Sequence, residues 1–204
     1  MPGCSFDLES GLWSSGTRLV AGVDEAGRGP LAGPLVAAAV LFLKPKIFAG
    51  LDDSKKISPR TRERLFIEIT SSCEVRFAVA VKDSAEVDRL NVLRATHEAM
   101  RETLLSLHGV EHALVDGLPV PGLPVPHDSV VGGDGRSFSI AAASVLAKVT
   151  RDRLMLEYDA TYPAYGFARH KGYATREHLA TLHKHGPCPI HRRSFAPVAN
   201  EVPV

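Results

Sequence analysis

Apolar residues in this chain fall into two spacings, and the places where the spacing changes divide the chain into elements. Residues 19–24 and 35–43 are short, nearly unbroken runs of Val, Ala and Leu, and residues 75–82 alternate apolar and polar side chains. Those patterns predict three strands, the first two buried on both faces. The link between the first two is short and rich in glycine and proline, which favours an antiparallel pair. Ser58 followed by Pro59 predicts the start of a helix that carries Leu65, Ile67 and Ile69 and runs to about residue 71. Ser84 predicts the cap of one short helical turn. Residues 91–107 then place Val92, Ala95, Ala99, Leu104 and Leu107 on one face at helical spacing.

The second half repeats the alternation. Residues 112–116 form an apolar run ending in Asp116-Gly117, and a helix between two short strands makes a parallel crossover the expected connection. Four prolines in residues 118–126 exclude a helix there. Residues 129–131 predict a fifth strand, a glycine-rich turn around Asp134 follows, and residues 138–162 predict one long helix. Beyond it come a loop over 163–173, a helix capped by Thr175 and ending near residue 185, and a tail rich in proline and arginine. The order predicts an α/β fold: a mixed five-stranded sheet flanked by helices, with a small helical C-terminal lobe. It divides into an N-terminal extension (1–17) anchored by Trp13, a core (18–162) and the lobe with its tail (163–204), all one structural unit.

Composition narrows the class. At 204 residues and 45% hydrophobic content the chain can bury one sizeable core. Its three cysteines, Cys4, Cys73 and Cys188, are widely spaced and show no C-x-x-C pair, which disfavours a disulfide framework or a zinc cluster and suits a reducing compartment. The first seventeen residues lack a signal-peptide pattern, and the longest apolar run is too short to span a bilayer, so a cytoplasmic protein is expected. The net charge of +1 hides an asymmetry: residues 1–135 hold 14 Lys/Arg against 18 Asp/Glu, and residues 136–204 hold 10 against 5. A basic C-terminal third that also carries Tyr158, Tyr162, Tyr165 and Tyr173, beside an acidic region, suits a polyanionic substrate.

The acidic positions carry the chemistry. Asp24 and Glu25 end the first strand, and Gly27-Arg28-Gly29-Pro30 follows at once. Neighbouring strand side chains point to opposite faces, so two adjacent acids reach one ion only where the strand is ending. The spacing Gly27-x-Gly29-x-x-Ala32 loosely matches a dinucleotide-binding loop, but Pro30 and Gly33-Pro34 interrupt the helix that such a loop must open. Asp116 and Asp134 sit in two further glycine turns. Any one Asp-Gly could be an ordinary turn; three at strand ends favour a shared crevice. Four carboxylates there call for hard cations, Mg²⁺ or Mn²⁺, and two such ions would support in-line phosphodiester hydrolysis. The five histidines after residue 169 have no partner acid at a telling spacing, His183 and His185 are expected at the surface, and His97 is expected to be a packed or half-exposed helix residue.

Residues 23–34, Val-Asp-Glu-Ala-Gly-Arg-Gly-Pro-Leu-Ala-Gly-Pro, resemble the opening signature of bacterial ribonuclease HII. The resemblance continues in order through Asp53-Ser54-Lys55-Lys56-Ile57-Ser58, Val115-Asp116-Gly117, Ser139 to Ser144, Ala147 to Arg153, His170-Lys171-Gly172-Tyr173 and Pro189-Ile190-His191-Arg192. It implies a ribonuclease H-like fold and Asp24, Glu25, Asp116 and Asp134 as catalytic metal ligands. It further implies that Gly27, Arg28 and Gly29 read the ribose 2′-hydroxyl and that the Tyr173 ring stacks on the sugar of the next nucleotide. Ser54, Lys55, Ser144 and Lys171 would lie near the nucleic-acid backbone. The implied reaction is endonucleolytic hydrolysis of the RNA-containing strand of RNA–DNA hybrids, including 5′ of single ribonucleotides embedded in duplex DNA, by a monomer that serves ribonucleotide removal in replication and repair. One departure is Gly132, where the family usually has lysine. The intact Gly27-Arg28-Gly29 favours ribonuclease HII over ribonuclease HIII. The rivals are a DNA nuclease on the same carboxylate plan and a non-catalytic hybrid-binding module, which would be expected to have lost an acid.

Overall fold

The computed structural model describes residues 3–200. Among them, β1 (Val20–Ala26), β2 (Leu35–Phe42), β3 (Val75–Lys82), β4 (His112–Asp116) and β5 (His127–Val130) form one sheet in the order β3-β2-β1-β4-β5. β1 pairs antiparallel with β2, and β2 with β3; β1 pairs parallel with β4, and β4 with β5. The mixed five-stranded sheet, the antiparallel opening pair and the parallel crossover are as the sequence predicts.

β2 shows why the sheet is covered on both sides. All eight of its residues are buried. Val36, Ala38, Val40 and Phe42 pack in one apolar cluster with Ala141–Ala143, Val145 and Leu146 of helix α5 (Phe138–Thr161). Leu35, Ala37, Ala39 and Leu41 face the other way, into a cluster with Ala95, Ala99, Met100 and Leu104 of α4 (Val92–Ser106). The strand's period of two thus feeds two cores. The alanine-rich start of α5 lets it approach β1 very closely: a Cβ built on Gly22 would lie 2.1 Å from the Ser139 carbonyl carbon.

Of the remaining helices, α2 (Pro59–Thr70) begins at the predicted Ser58 cap, whose side chain accepts from the Thr61 amide at 3.1 Å. α7 (Arg176–His185) begins at Thr175 as predicted. α3 (Ser84–Leu90) is capped by Asp83 in a reciprocal box with Glu86 rather than by Ser84, because Ser84 is buried as the first helical residue and turns its hydroxyl toward the Pro189 carbonyl. β5 ends at Val130, one residue before the predicted end, and begins two residues earlier. Its ladder with β4 runs from His127 to Val130, and the backbone then leaves the sheet through Gly132 at φ +64°.

Three short helices fall where no helix was expected. α1 (Asp7–Ser14) occupies the N-terminal extension, with Trp13 packed beside Phe6 as an anchor. α6 (Phe167–His170) interrupts the 163–173 loop, and α8 (Ala196–Ala199) lies in the tail. Tyr165, Phe167, Cys188 and Ile190 pack on Ala32 and Met155, so the C-terminal segment closes over the 27–34 turn. The last four residues of the expected lobe, and Met1 and Pro2, lie outside the described residues. Cys4, Cys73 and Cys188 are free thiols. Among the described residues no helix is long and apolar enough to cross a membrane.

Candidate active site

The parallel register of β1 and β4 brings the first acids together. Val23 lies opposite Val115, so Asp24 and Asp116 follow side by side at the carboxyl ends of adjacent strands. Glu25 is next along β1, which does not end at Asp24 as expected but continues to Ala26, because Asp24 and Glu25 still pair with Ala38 and Ala37 of β2. Asp134 sits in the single 3₁₀ turn after β5, which is tied to β4 by the Gly133 amide donating to Asp116 Oδ1 at 2.7 Å. Gly133 is needed there, since a Cβ would meet Ile140 Cδ1 at 2.5 Å.

These carboxylates strain against one another. Asp24 and Asp134 are each only 5% exposed. Burial pushes the Asp24 carboxyl well above its ordinary range, repulsion from Glu25 and Asp116 adds to it, and a hydrogen bond from Ser144 opposes it. Glu25 is raised by burial, against the pull of Arg28, whose Nη1 lies 3.3 Å from Glu25 Oε1. Asp134 is raised by burial and then by Asp116, against the attraction of Lys55. Lys55 Nζ stands 3.7 Å from Asp134 Oδ2, beyond hydrogen-bond reach, and that buried oxygen has no hydrogen-bond partner.

Among the described residues no three acid, imidazole or thiol side chains are drawn close enough to enclose a metal ion. The donor chemistry nonetheless suits a hard divalent cation: four carboxylates share one sheet end, burial raises three of them even with Arg28 beside Glu25 and Lys55 beside Asp134, and one buried oxygen has no hydrogen-bond partner.

A cavity of about 310 Å³ opens beside Asp24 and Glu25. Gly27, Arg28 and Gly29 form one wall, Ser54, Lys55 and Ser144 another, and the half-exposed Tyr173 ring its rim. The Ser54 and Ser144 hydroxyls meet at 2.8 Å across 90 positions of sequence. Asp116 and Asp134 do not line this cavity, and Lys171 belongs to an adjoining groove of about 510 Å³ that shares Lys148 with it. Lys148 was not predicted as a site residue. The available signal was its spacing, one helical turn after Ser144 on α5.

The ribonuclease HII family model matches residues 21–198. The chain belongs to the ribonuclease HII family. It is 51% identical over 191 residues to the ribonuclease HII of Geobacillus kaustophilus strain HTA426, an alignment covering 93% of this chain and 73% of the relative. It is 52% identical over 181 residues to that of Coxiella burnetii strain Dugway 5J108-111, covering 88% and 89%. The crystal structure of ribonuclease H2 from Pyrococcus horikoshii OT3 superposes with a TM-score of 0.75 at 27% identity, covering 89% of this chain and 96% of that one. The chain is therefore a ribonuclease H of ribonuclease H-like fold, from a family of endonucleases that act on RNA–DNA hybrids.

The 27–34 turn is held by two buried arginines, Arg192 and Arg151, to which the sequence assigned no role of their own. Arg192 donates through Nη2 to the Gly27 carbonyl at 2.6 Å, through Nη1 to Arg28 at 2.9 Å and through Nε to Gly33 at 3.1 Å. Arg151 donates to the carbonyls of Pro34 at 2.8 Å and Ala32 at 3.2 Å. Gly27, at φ +98°, leaves room for this, since a Cβ there would lie 2.2 Å from Arg151 Nε. A planar fork of donors matches converging carbonyls in a way a single ammonium does not. Arg192→Met should therefore lower stability by about 3 kcal/mol or more, because it strands several buried acceptors at once. Urea unfolding measures this, and an unchanged midpoint would mean that water replaces the guanidinium.

Proposed function

We propose that this chain is a divalent-metal-dependent endonuclease that cuts RNA–DNA hybrids and also cuts 5′ of single ribonucleotides embedded in duplex DNA, leaving 3′-hydroxyl and 5′-phosphate ends. The observation that carries the reading is the buried, mutually repelling cluster of Asp24, Glu25 and Asp134, with its orphaned buried oxygen, beside a cavity walled by Gly27-Arg28-Gly29 and rimmed by Tyr173.

In this reading Asp24, Glu25, Asp116 and Asp134 hold Mg²⁺ or Mn²⁺. When bound, two such ions would supply activation of an attacking water and neutralisation of charge on the leaving 3′-oxygen. The chain's own residues do the rest. Gly27-Arg28-Gly29, held through the Gly27 and Arg28 carbonyls by Arg192, presents backbone at close range to a ribose, and only the 2′-hydroxyl separates RNA from DNA at a given nucleotide. Tyr173 packs against the following deoxyribose. Lys55, Lys148 and Lys171 line a basic path for phosphates, and Ser144, paired with Ser54, hydrogen-bonds Asp24. The partners are RNA–DNA hybrids and ribonucleotide-containing duplex DNA, the protein acts as a monomer in the cytoplasm, and its role is ribonucleotide removal in replication and repair.

The test is incubation with duplex DNA carrying one ribonucleotide, in Mg²⁺, Mn²⁺ or EDTA, beside an all-DNA duplex and a long hybrid. A single nick 5′ of the ribonucleotide, abolished by EDTA, is expected. Cleavage of the all-DNA duplex would favour the DNA-nuclease rival. Tyr173→Ala should lose activity mainly on the single-ribonucleotide duplex, by roughly 10–100-fold if the ring contact resembles aromatic stacking on a base at about 1–3 kcal/mol. Tyr173→Phe should lose much less, and equal losses on every substrate would reduce the ring to a support for its loop.

A further inference from the structure

Behind the Tyr173 loop lie three histidines that the chemistry above does not use. His178 is fully buried, His191 is 2% exposed and His170 is 8% exposed. They are not isolated core residues, because every ring nitrogen has a partner. His178 Nδ1 lies 2.9 Å from the Tyr173 carbonyl, and His178 Nε2 lies 3.0 Å from His191 Nε2. His191 Nδ1 receives the Cys188 amide at 3.0 Å and lies 3.1 Å from the Cys188 thiol. His170 stacks on His178 with ring centroids 4.4 Å apart.

The proton positions follow from these partners. A carbonyl only accepts, so His178 must carry its hydrogen on Nδ1 and leave Nε2 as an acceptor. His191 must then donate from Nε2 and accept on Nδ1, where the Cys188 amide arrives. His170 likewise donates from Nε2 to the Tyr165 carbonyl at 2.8 Å and accepts the Gly172 amide on Nδ1 at 3.2 Å. Each ring holds one proton, and a second proton on any of them would face a donor already in place.

We infer that Cys188, His191 and His178 form a one-directional hydrogen-bond relay that fixes the Tyr173 carbonyl and so positions the Tyr173 ring at the rim of the site. The geometry of the loop supports this. Lys171 and Gly172 are both left-handed, at φ +53° and +83°, and a Cβ on Gly172 would lie 2.3 Å from the Ala32 carbonyl oxygen. The Gly172 carbonyl accepts from the Leu31 amide at 2.8 Å. The chain therefore enters Tyr173 pinned to the 27–34 turn, and it leaves through a carbonyl that accepts from both His178 and the Thr175 amide, the latter at 2.8 Å. His178 is the one side chain in that set, so its tautomer bears directly on where the ring stands. Burial keeps the relay neutral: it pushes His191 down to about 4 and lowers His178, and it raises the Cys188 thiol to about 11, which keeps its hydrogen. The relay makes His178 and His191 positioning residues for substrate choice. That consequence rests on the proposed contact between Tyr173 and the deoxyribose.

Long-range ¹⁵N–¹H correlation spectra of the intact protein read the tautomers directly. Expected are Nδ1–H for His178 and Nε2–H for His191 and His170; Nε2–H on His178, or a doubly protonated ring, would overturn the relay. His178→Phe removes both hydrogen bonds, whereas His178→Asn keeps a donor near the Nδ1 position. The Tyr173 carbonyl ¹³C shift should move in the first variant and return toward wild type in the second; a shift unchanged in His178→Phe would overturn the relay as well. On the single-ribonucleotide duplex, His178→Phe should lose on the order of 10²-fold, the scale of a small misplacement at an active site, with a smaller loss on a long hybrid and recovery in His178→Asn. Equal losses on both substrates, while Tyr173→Ala remains selective, would overturn the positioning role. Equal losses from Tyr173→Ala itself would instead overturn the sugar contact, and the ¹³C and tautomer results would then decide the relay alone.

Discussion

Asp24→Asn should slow cleavage of a hybrid by about 10³-fold or more while hybrid binding stays near wild type. Four carboxylates gathered at one sheet end do not attract a polyanion, so affinity must come from the lysines of the neighbouring groove and from backbone contacts. A carboxylate that holds a cation acts on the barrier, where several kcal/mol of charge stabilisation correspond to a thousandfold or more in rate. The structure adds a second readout. Asp24 is buried and repelled by Glu25 and Asp116, so a neutral amide relieves repulsion in the metal-free protein. Its melting temperature should not fall, and the rise that Mg²⁺ or Mn²⁺ produces in the wild type should shrink or vanish. Single-turnover cleavage, binding titration and thermal melts with and without metal separate these effects. Near wild-type turnover in Mg²⁺, or a metal-induced rise as large as the wild type's, would remove Asp24 from the ligand set.

Gly22→Ala should prevent folding, or cost more than about 4 kcal/mol, without touching the site directly. The new methyl would sit 2.1 Å from the Ser139 carbonyl carbon, 2.2 Å from the Ile140 amide and 2.5 Å from the Ser139 oxygen, all of them backbone. No rotamer change relieves such a clash, and α5 cannot retreat without opening the core it shares with β1 and β2. The start of α5 is also fastened from outside: Glu9 of α1 accepts from the Ser139 amide at 3.0 Å and from the Ser137 and Ser139 hydroxyls at 2.6 Å. Losses above 4 kcal/mol are exceptional and belong to overpacking of this kind. Gly11→Ala, in α1 with nothing within 4 Å of the added carbon, is the matched control and should stabilise by about 0.5–1 kcal/mol. Urea unfolding of both variants checks this. A Gly22→Ala protein that unfolds like the wild type would mean that α5 moves away from β1 far more easily than its packing indicates.

The elements legible in the sequence were those governed by neighbours along the chain. β3 at Val75–Lys82 matches its periodicity to the residue, β4 at His112–Asp116 stops one residue short of the expected Gly117, and Ser58 and Thr175 cap their helices because a capping hydroxyl reaches only two or three residues ahead. The acids were legible in part: Asp116 closes β4 beside Gly117 and Asp134 sits in the glycine turn after β5, but β1 runs on through Asp24 and Glu25 to Ala26, because both acids still pair with β2. Lys171 was placed on the substrate side by resemblance, and the structure sets it in the groove next to the cavity.

Contacts spanning the chain were decided by the tertiary structure. The Ser84 hydroxyl turns to a carbonyl 105 residues away, and the cap passes to Asp83. Glu9, a polar residue in a stretch to which no chemistry was assigned, is buried against the start of α5. Arg192 reaches back 165 positions to hold Gly27, and His191 and His178 lock together under Tyr173 with no acid between them. A buried arginine bonded to carbonyls, or a histidine bonded to another histidine, leaves no periodic trace, because its partner is set by how elements pack and not by spacing along the chain. The sequence by itself determined which acids lie near strand ends and which strands run where. Only packing determined what keeps the glycine turn and the tyrosine in place, because a buried donor goes to whichever acceptor the fold brings within about 3 Å.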